Sequence, residues 1–224
     1  KANFVWDPKL QQTVLGRFGW KANTGTILVQ CAAAYVEDMG ITNPVFPNET
    51  GYNQSNGQDG LNDDPEINND VLNQVALYCR TLAVPAPRNI NNKPVREGAK
   101  IFDRIGCAKC HTPKQVTGYH AIAALSNQTI FPYSDLLLHD MGDDLADNRP
   151  DFLANGKEWK TRPLWGIGLT ELVNGHTNFL HDGRARNITE AILWHGGEAQ
   201  QPKERFKQLT TSERASLLAF LNSL

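Results

Sequence analysis

Cys107-Ala108-Lys109-Cys110-His111 puts two thiols and an imidazole within five consecutive residues. C-x-x-C-H is the pattern by which a c-type haem is attached. Each cysteine adds across one vinyl group of the porphyrin. Two intervening residues let both thioethers form from one turn of backbone. The histidine that follows sits under the iron as proximal ligand. A bare C-x-x-C would also suit a redox pair or half of a zinc site. Zinc needs two more ligands at close spacing, and the chain has no second C-x-x-C and no H-x-x-x-H. The residues therefore specify one covalent haem c, bound by Cys107, Cys110 and His111.

The iron's sixth position is either open, as in enzymes that bind peroxide or oxygen, or filled by Met, His or Tyr, as in electron transfer. After the motif the candidates are His120, Tyr133, His139, Met141, His176, His181 and His195. Met141 lies in a polar, turn-like run, His139-Asp140-Met141-Gly142-Asp143-Asp144, where an apolar ligand pocket is not expected. His181 is beside Asp182, which suits a tight-turn hydrogen-bonded pair as well as a ligand. His195 ranks first. Asn187 to Glu190 reads as an N-cap box, and Ile188, Ala191, Ile192 and Trp194 give a short amphipathic helix. His195 ends it, and Gly196 and Gly197 allow close approach to a ring. On residues alone, a surface histidine favoured by the helix C-terminal dipole fits equally well.

Other elements must position these groups. The chain has 224 residues, enough for one or two domains. A net charge of −2 argues against nucleic acid or an anionic membrane as main partner. No apolar run is long enough to span a bilayer. The turn-rich composition predicts a mainly α protein with long loops. Residues 1–25 read as irregular. A helix is expected over 26–39 and another over 70–83, ending before Pro85 and Pro87. Cys31 and Cys79 lie in those two helices, either bridged in an oxidising compartment or packed as small core residues. The polar stretch 51–64 lacks the spacing of a helix-loop-helix calcium site and reads as a solvated loop. A linker over 85–92 separates a helical interdomain segment, 1–90, from a cytochrome c-like haem domain, 91–224. In that domain one helix opens near Pro94 and ends at Gly106. A second starts at a capping box, Thr210 and Glu213, and carries Leu217, Phe220 and Leu221. The two should cross, with Phe102 and Phe220 in contact.

Several stretches carry a family likeness. Thr161-Arg162-Pro163-Leu164-Trp165-Gly166, Phe179-Leu180-His181-Asp182-Gly183-Arg184-Ala185 and Thr189-Glu190-Ala191-Ile192 resemble the C-terminal domain of bacterial di-haem cytochrome c peroxidases. They also resemble the related enzyme that matures tryptophan tryptophylquinone. The nearest resemblance is to the di-haem family labelled thiol oxidoreductases. It rests on Arg17-Phe18-Gly19-Trp20-Lys21-Ala22, Asp38-Met39-Gly40-Ile41-Thr42, Leu82-Ala83-Val84-Pro85, Asp135-Leu136-Leu137-Leu138-His139-Asp140-Met141-Gly142 and Trp194-His195-Gly196-Gly197-Glu198-Ala199. In the peroxidases the residue fourteen places after the His of H-D-G is the Met ligand of the electron-transfer haem; in the tryptophylquinone enzyme it is Tyr. Fourteen places after His181 stands His195. The resemblance thus implies a bis-His, low-spin haem, with a lower reduction potential than Met ligation gives. It also implies that Trp20 is the Trp between two haems, and that Gln30 and Asp38 are the Gln and acid of the peroxidatic pocket. The Asp38 spacing is two residues short of the family's.

Family members carry a second C-x-x-C-H in an N-terminal domain, and this chain has one. The resemblance therefore implies the C-terminal part of a periplasmic, or otherwise extracytoplasmic, peroxidase-like oxidoreductase. Its partners would be its own N-terminal haem domain and a small redox protein or quinol as electron donor. A mono-haem electron carrier and a haem-based sensor are the alternatives. Thiol-disulfide exchange at Cys107 and Cys110 is excluded once both sulfurs are thioethers.

Overall fold

The computed structural model describes residues 1–54, 61 and 63–224. The stretch 51–64, read above as a solvated loop, lies partly outside the described residues. By internal contacts the chain divides into two compact units, one of Ala2–Leu82 and one of Lys1 with Ala83–Leu224.

In the first unit, β1 (Phe4–Asp7) and β2 (Gln12–Leu15) form an antiparallel hairpin with Phe4 opposite Leu15. Val5 and Asp7 point inward while Phe4 and Trp6 are exposed, the two-residue alternation of a half-buried strand. The Asp7 carboxylate closes the turn by accepting from the backbone N–H of Lys9 and Leu10. Helix α1 (Ile27–Asp38) is capped by Thr26, whose hydroxyl accepts from Val29 N–H. Helix α2 (Asn69–Thr81) is capped by Asn68 in the same way. The two helices pack against each other, burying Ala32, Val36, Leu72 and Ala76. Cys31 and Cys79 face each other with their sulfurs 3.9 Å apart. Burial, and then the neighbouring thiol, push Cys31 up to about 11.

The second unit is organised by α3 (Lys93–Ile105) and α7 (Thr211–Leu221). On α3 the buried residues Val95, Gly98, Ile101, Phe102 and Ile105 recur at helical spacing and form one stripe. Gly106 ends α3 at φ 98°, a left-handed position that favours glycine. Helix α7 starts at a complete capping box. Glu213 N–H donates to the Thr210 hydroxyl, and Thr210 N–H donates to the Glu213 carboxylate. The same carboxylate pairs with Arg104 at 2.5 Å, tying the start of α7 to the end of α3. The helices cross where α3 has no side chain. A Cβ on Gly98 would lie 2.0 Å from the Ser216 carbonyl oxygen and 2.6 Å from the Phe220 Cβ. Phe102 and Phe220 meet there edge-on, with ring centres 5.4 Å apart.

Between these helices come β3 (Gln115–Val116) with β4 (Thr129–Ile130), and β5 (Leu138–Asp140) with β6 (Glu158–Lys160), both antiparallel. Three shorter helices follow, α4 (Thr170–Asn174), α5 (Ile188–Trp194) and α6 (Gln200–Lys207). The mainly α class expected from the sequence is therefore corrected. Among the described residues the molecule is 39% helical, with several small antiparallel sheets. The physical reason is the strand length. Pairs of two to four residues are too short to show a period against turn-rich surroundings, and hairpin β1–β2 occupies the stretch read as irregular. Among the described residues, no helix is long and apolar enough to cross a membrane.

Candidate functional site

The C-x-x-C-H residues follow directly from the end of α3. Gly106 turns the chain, Cys107–Lys109 form a single 3-10 turn, and His111 N–H donates to the Cys107 carbonyl at 2.9 Å. This local winding puts both sulfurs and the imidazole on one short piece of backbone. Burial pushes the Cys107 thiol up to about 12. The His111 Nδ1 lies 3.0 Å from the Tyr133 carbonyl oxygen. That contact takes the Nδ1 proton and leaves Nε2 with its lone pair free. Burial, followed by the neighbouring His195 imidazole, lowers His111 to about 4, so the ring is neutral at neutral pH. Phe102 and Tyr133 pack edge-on behind it, with Phe102 6.3 Å from the His111 ring centre.

His195 arrives from α5. The Asn187 side chain caps that helix by accepting from Glu190 N–H. The Glu190 carboxylate returns to Arg186 N–H, one residue before the expected capping-box partner. His195 Nδ1 contacts the Ala191 carbonyl oxygen at 2.7 Å, so its Nε2 is also left free. Burial holds this ring below its usual range as well. The His111 and His195 ring centres are 6.4 Å apart. Two metal–imidazole bonds of about 2 Å, with about 1 Å more from each nitrogen to its ring centre, span roughly 6 Å. The donor chemistry agrees with the spacing, since both rings are neutral and each keeps one free nitrogen. The residues present fit an iron between them.

Three of the other candidate histidines have partners of their own. His181 stacks on Trp159 at 3.7 Å between ring centres, and its Nε2 lies 3.8 Å from the Asp182 carboxylate. His120 accepts from Ile122 N–H. His139, presented by β5, has a carboxylate on each ring nitrogen: Asp135 on Nε2 and Glu198 on Nδ1, both at 2.8 Å. The Asp135 bond first, then the neighbouring Cys110 sulfur and then Glu198, push His139 up to about 11. Nδ1 also lies 3.7 Å from the Cys110 sulfur. Sequence reasoning considered His139 only as a ligand and did not single out Asp135 or Glu198. The signal available was the Asp135–His139 spacing of four residues; the link to Glu198 has no local trace.

Trp20, Gln30 and Asp38 all belong to the first unit. Trp20 is 42% exposed. Gln30 lies in the first turn of α1, with its buried Oε1 accepting no hydrogen bond. Asp38 is the exposed last residue of the same helix, about 12 Å further along the axis at 1.5 Å per residue. The helix does not bring Gln30 and Asp38 side by side.

The family model described as "Di-haem oxidoreductase, putative peroxidase" matches residues 1–224. The chain belongs to this di-haem oxidoreductase family. No curated protein and no solved structure matches it significantly. Membership makes haem the cofactor and oxidoreduction the general role. It places the C-x-x-C-H turn and the paired imidazoles within a family that works through haem.

Proposed function

We propose that residues 91–224 form the electron-transfer domain of a periplasmic di-haem, peroxidase-like oxidoreductase, carrying one covalent haem c. The observation that supports this reading is the pair of neutral imidazoles, His111 and His195, 6.4 Å apart beside the C-x-x-C-H turn. Cys107 and Cys110 would hold the porphyrin, and His111 and His195 would hold its iron. A haem so ligated supplies one-electron transfer with no position left for peroxide. The Tyr133 and Ala191 carbonyls fix the orientation and tautomer of the two rings. Phe102, Tyr133 and Phe220 keep water from the His111 side.

In this reading a small redox protein or quinol would supply electrons, and a second haem in an N-terminal domain would receive them. In the roles the family resemblance implies, Trp20 would lie between the two haems, and Gln30 and Asp38 would face the second haem from different turns of α1. A mono-haem electron carrier is the second reading, favoured by the single C-x-x-C-H. The number of such motifs in the full-length gene separates the two.

The test is a reduced-minus-oxidised absorption spectrum of the chain made in a haem-maturing host, beside His195→Ala. The expected result is a sharp low-spin c-type spectrum that becomes high-spin in the variant. A parent that is already high-spin removes His195 as ligand and refutes the bis-His reading.

A further inference from the structure

His139 stands where the two sides of the candidate haem site meet. On one side is Asp135, whose backbone N–H donates to the Cys110 carbonyl at 2.9 Å. Asp135 is thus fastened to the attachment turn itself. On the other side is Glu198, three residues beyond His195. Its second oxygen accepts from Asp140 N–H at 3.0 Å. The segment after His195 lies directly on the strand that carries His139. A Cβ on Gly197 would fall 2.2 Å from the Asp140 carbonyl oxygen and 2.8 Å from Gly142 N. Gly197 also has a φ of 51°, so glycine is required there twice over.

The bonding pattern is directional. A ring that donates from both nitrogens to two carboxylates is an imidazolium, and its bonds are charge-assisted. His139 and Asp135 keep only 15% and 13% of their side-chain surface exposed. Water therefore competes weakly with that bond. Cys110, Asp135 and His139 are also close enough together to hold a metal ion. A thioether at Cys110 has no thiolate to offer one, and the two carboxylates already occupy the ring nitrogens.

Resting on the bis-His reading above, we propose that His139 is a positioning residue. With Asp135 and Glu198 it fastens the segment carrying His195 to the segment carrying Cys110 and so keeps His195 on the iron. It touches neither substrate nor iron. Its effect passes through Glu198 to the residues that follow the sixth ligand.

The experiment uses the haem-loaded chain and carbon monoxide as probe of an open sixth position. Parent, His139→Gln, Glu198→Ala and Glu198→Gln are reduced and exposed to carbon monoxide, and spin state and midpoint potential are recorded. A glutamine at 139 cannot donate to both carboxylates at once. The population with His195 off the iron should rise roughly 2- to 5-fold, the factor of an ion pair with one exposed partner. Faster carbon monoxide binding and a growing high-spin band would report it. Glu198→Ala should move the same way and guards against misfolding of the His139 variant, because Glu198 is on the surface. Glu198→Gln keeps an acceptor for His139 and should stay near the parent. If His139→Gln and Glu198→Ala both remain as inert to carbon monoxide as a low-spin parent, with unchanged potential, the positioning role is refuted while the bis-His reading stands. A parent that itself binds carbon monoxide overturns both.

Discussion

Gly98→Ala is the most discriminating single change in the second unit. A methyl group there would sit 2.0 Å from the Ser216 carbonyl oxygen. That atom is helix backbone and cannot rotate away, so α3 and α7 must part by about 1 Å. Two terms oppose each other. Alanine in a helix interior gains about 1 kcal/mol over glycine. Overpacking a filled contact costs about 1–3 kcal/mol or more, and a clash with backbone belongs at the upper end. The net loss should be roughly 2 kcal/mol, which lowers the melting temperature by about 4–8 °C for a unit of this size. The assay is thermal unfolding of the haem-loaded chain followed by far-UV circular dichroism. Arg96→Ala, on the exposed face of the same helix, is the control, with a change within about 0.5 kcal/mol. The visible spectrum should change as well, because Phe102 and Phe220 meet at this crossing and Phe102 packs behind His111. A Gly98→Ala protein that melts at or above the parent's temperature would refute the close crossing and the account of how α7 supports the His111 side.

Cys31 and Cys79, with sulfurs 3.9 Å apart and 48 positions apart in sequence, should form a disulfide under mild oxidation. Intact mass would show the loss of two hydrogens. In the chain-entropy account the bridge adds about 4 kcal/mol to the stability of the first unit; a protein that keeps both hydrogens under oxidation would contradict the helix pairing. Glu213 is held down to about 2 by Arg104 first, and then by the Thr210 N–H and hydroxyl. Its pKa is lower folded than unfolded, so its contribution is present above about 4.5 and lost as pH falls toward 2. The difference in melting temperature between parent and Glu213→Gln should therefore shrink through that window; a constant difference down to pH 2 would exclude the ion pair as its source. Asn187→Ala removes the cap of the seven-residue helix that presents His195, at a cost of about 1 kcal/mol. It should raise the high-spin fraction in the absorption spectrum, and an unaltered low-spin spectrum would show that α5 does not set the position of His195.

What the sequence could determine was chemistry and structure of short range. C-x-x-C-H points to a c-type haem because two thiols and an imidazole lie on one turn of backbone. Helices α1, α2, α3 and α7 were legible from apolar spacing, from Pro85 and Pro87 beyond α2, from Gly106 as the stop of α3 and from Thr210 as the cap of α7, whereas the caps Thr26 and Asn68 emerged only in the structure. Those signals act within a few residues and survive in any fold. The short strands lacked such a signal, and hairpin β1–β2 was invisible for that reason. His195 was legible only in part, since a ligand and a dipole-favoured surface histidine look alike at a helix end. Only the tertiary structure brings His195 to 6.4 Å from His111 across 84 residues of chain. It alone joined Asp135, His139 and Glu198. Such contacts depend on how loops close and helices pack, and each residue reads as an ordinary polar side chain until the fold supplies its partner.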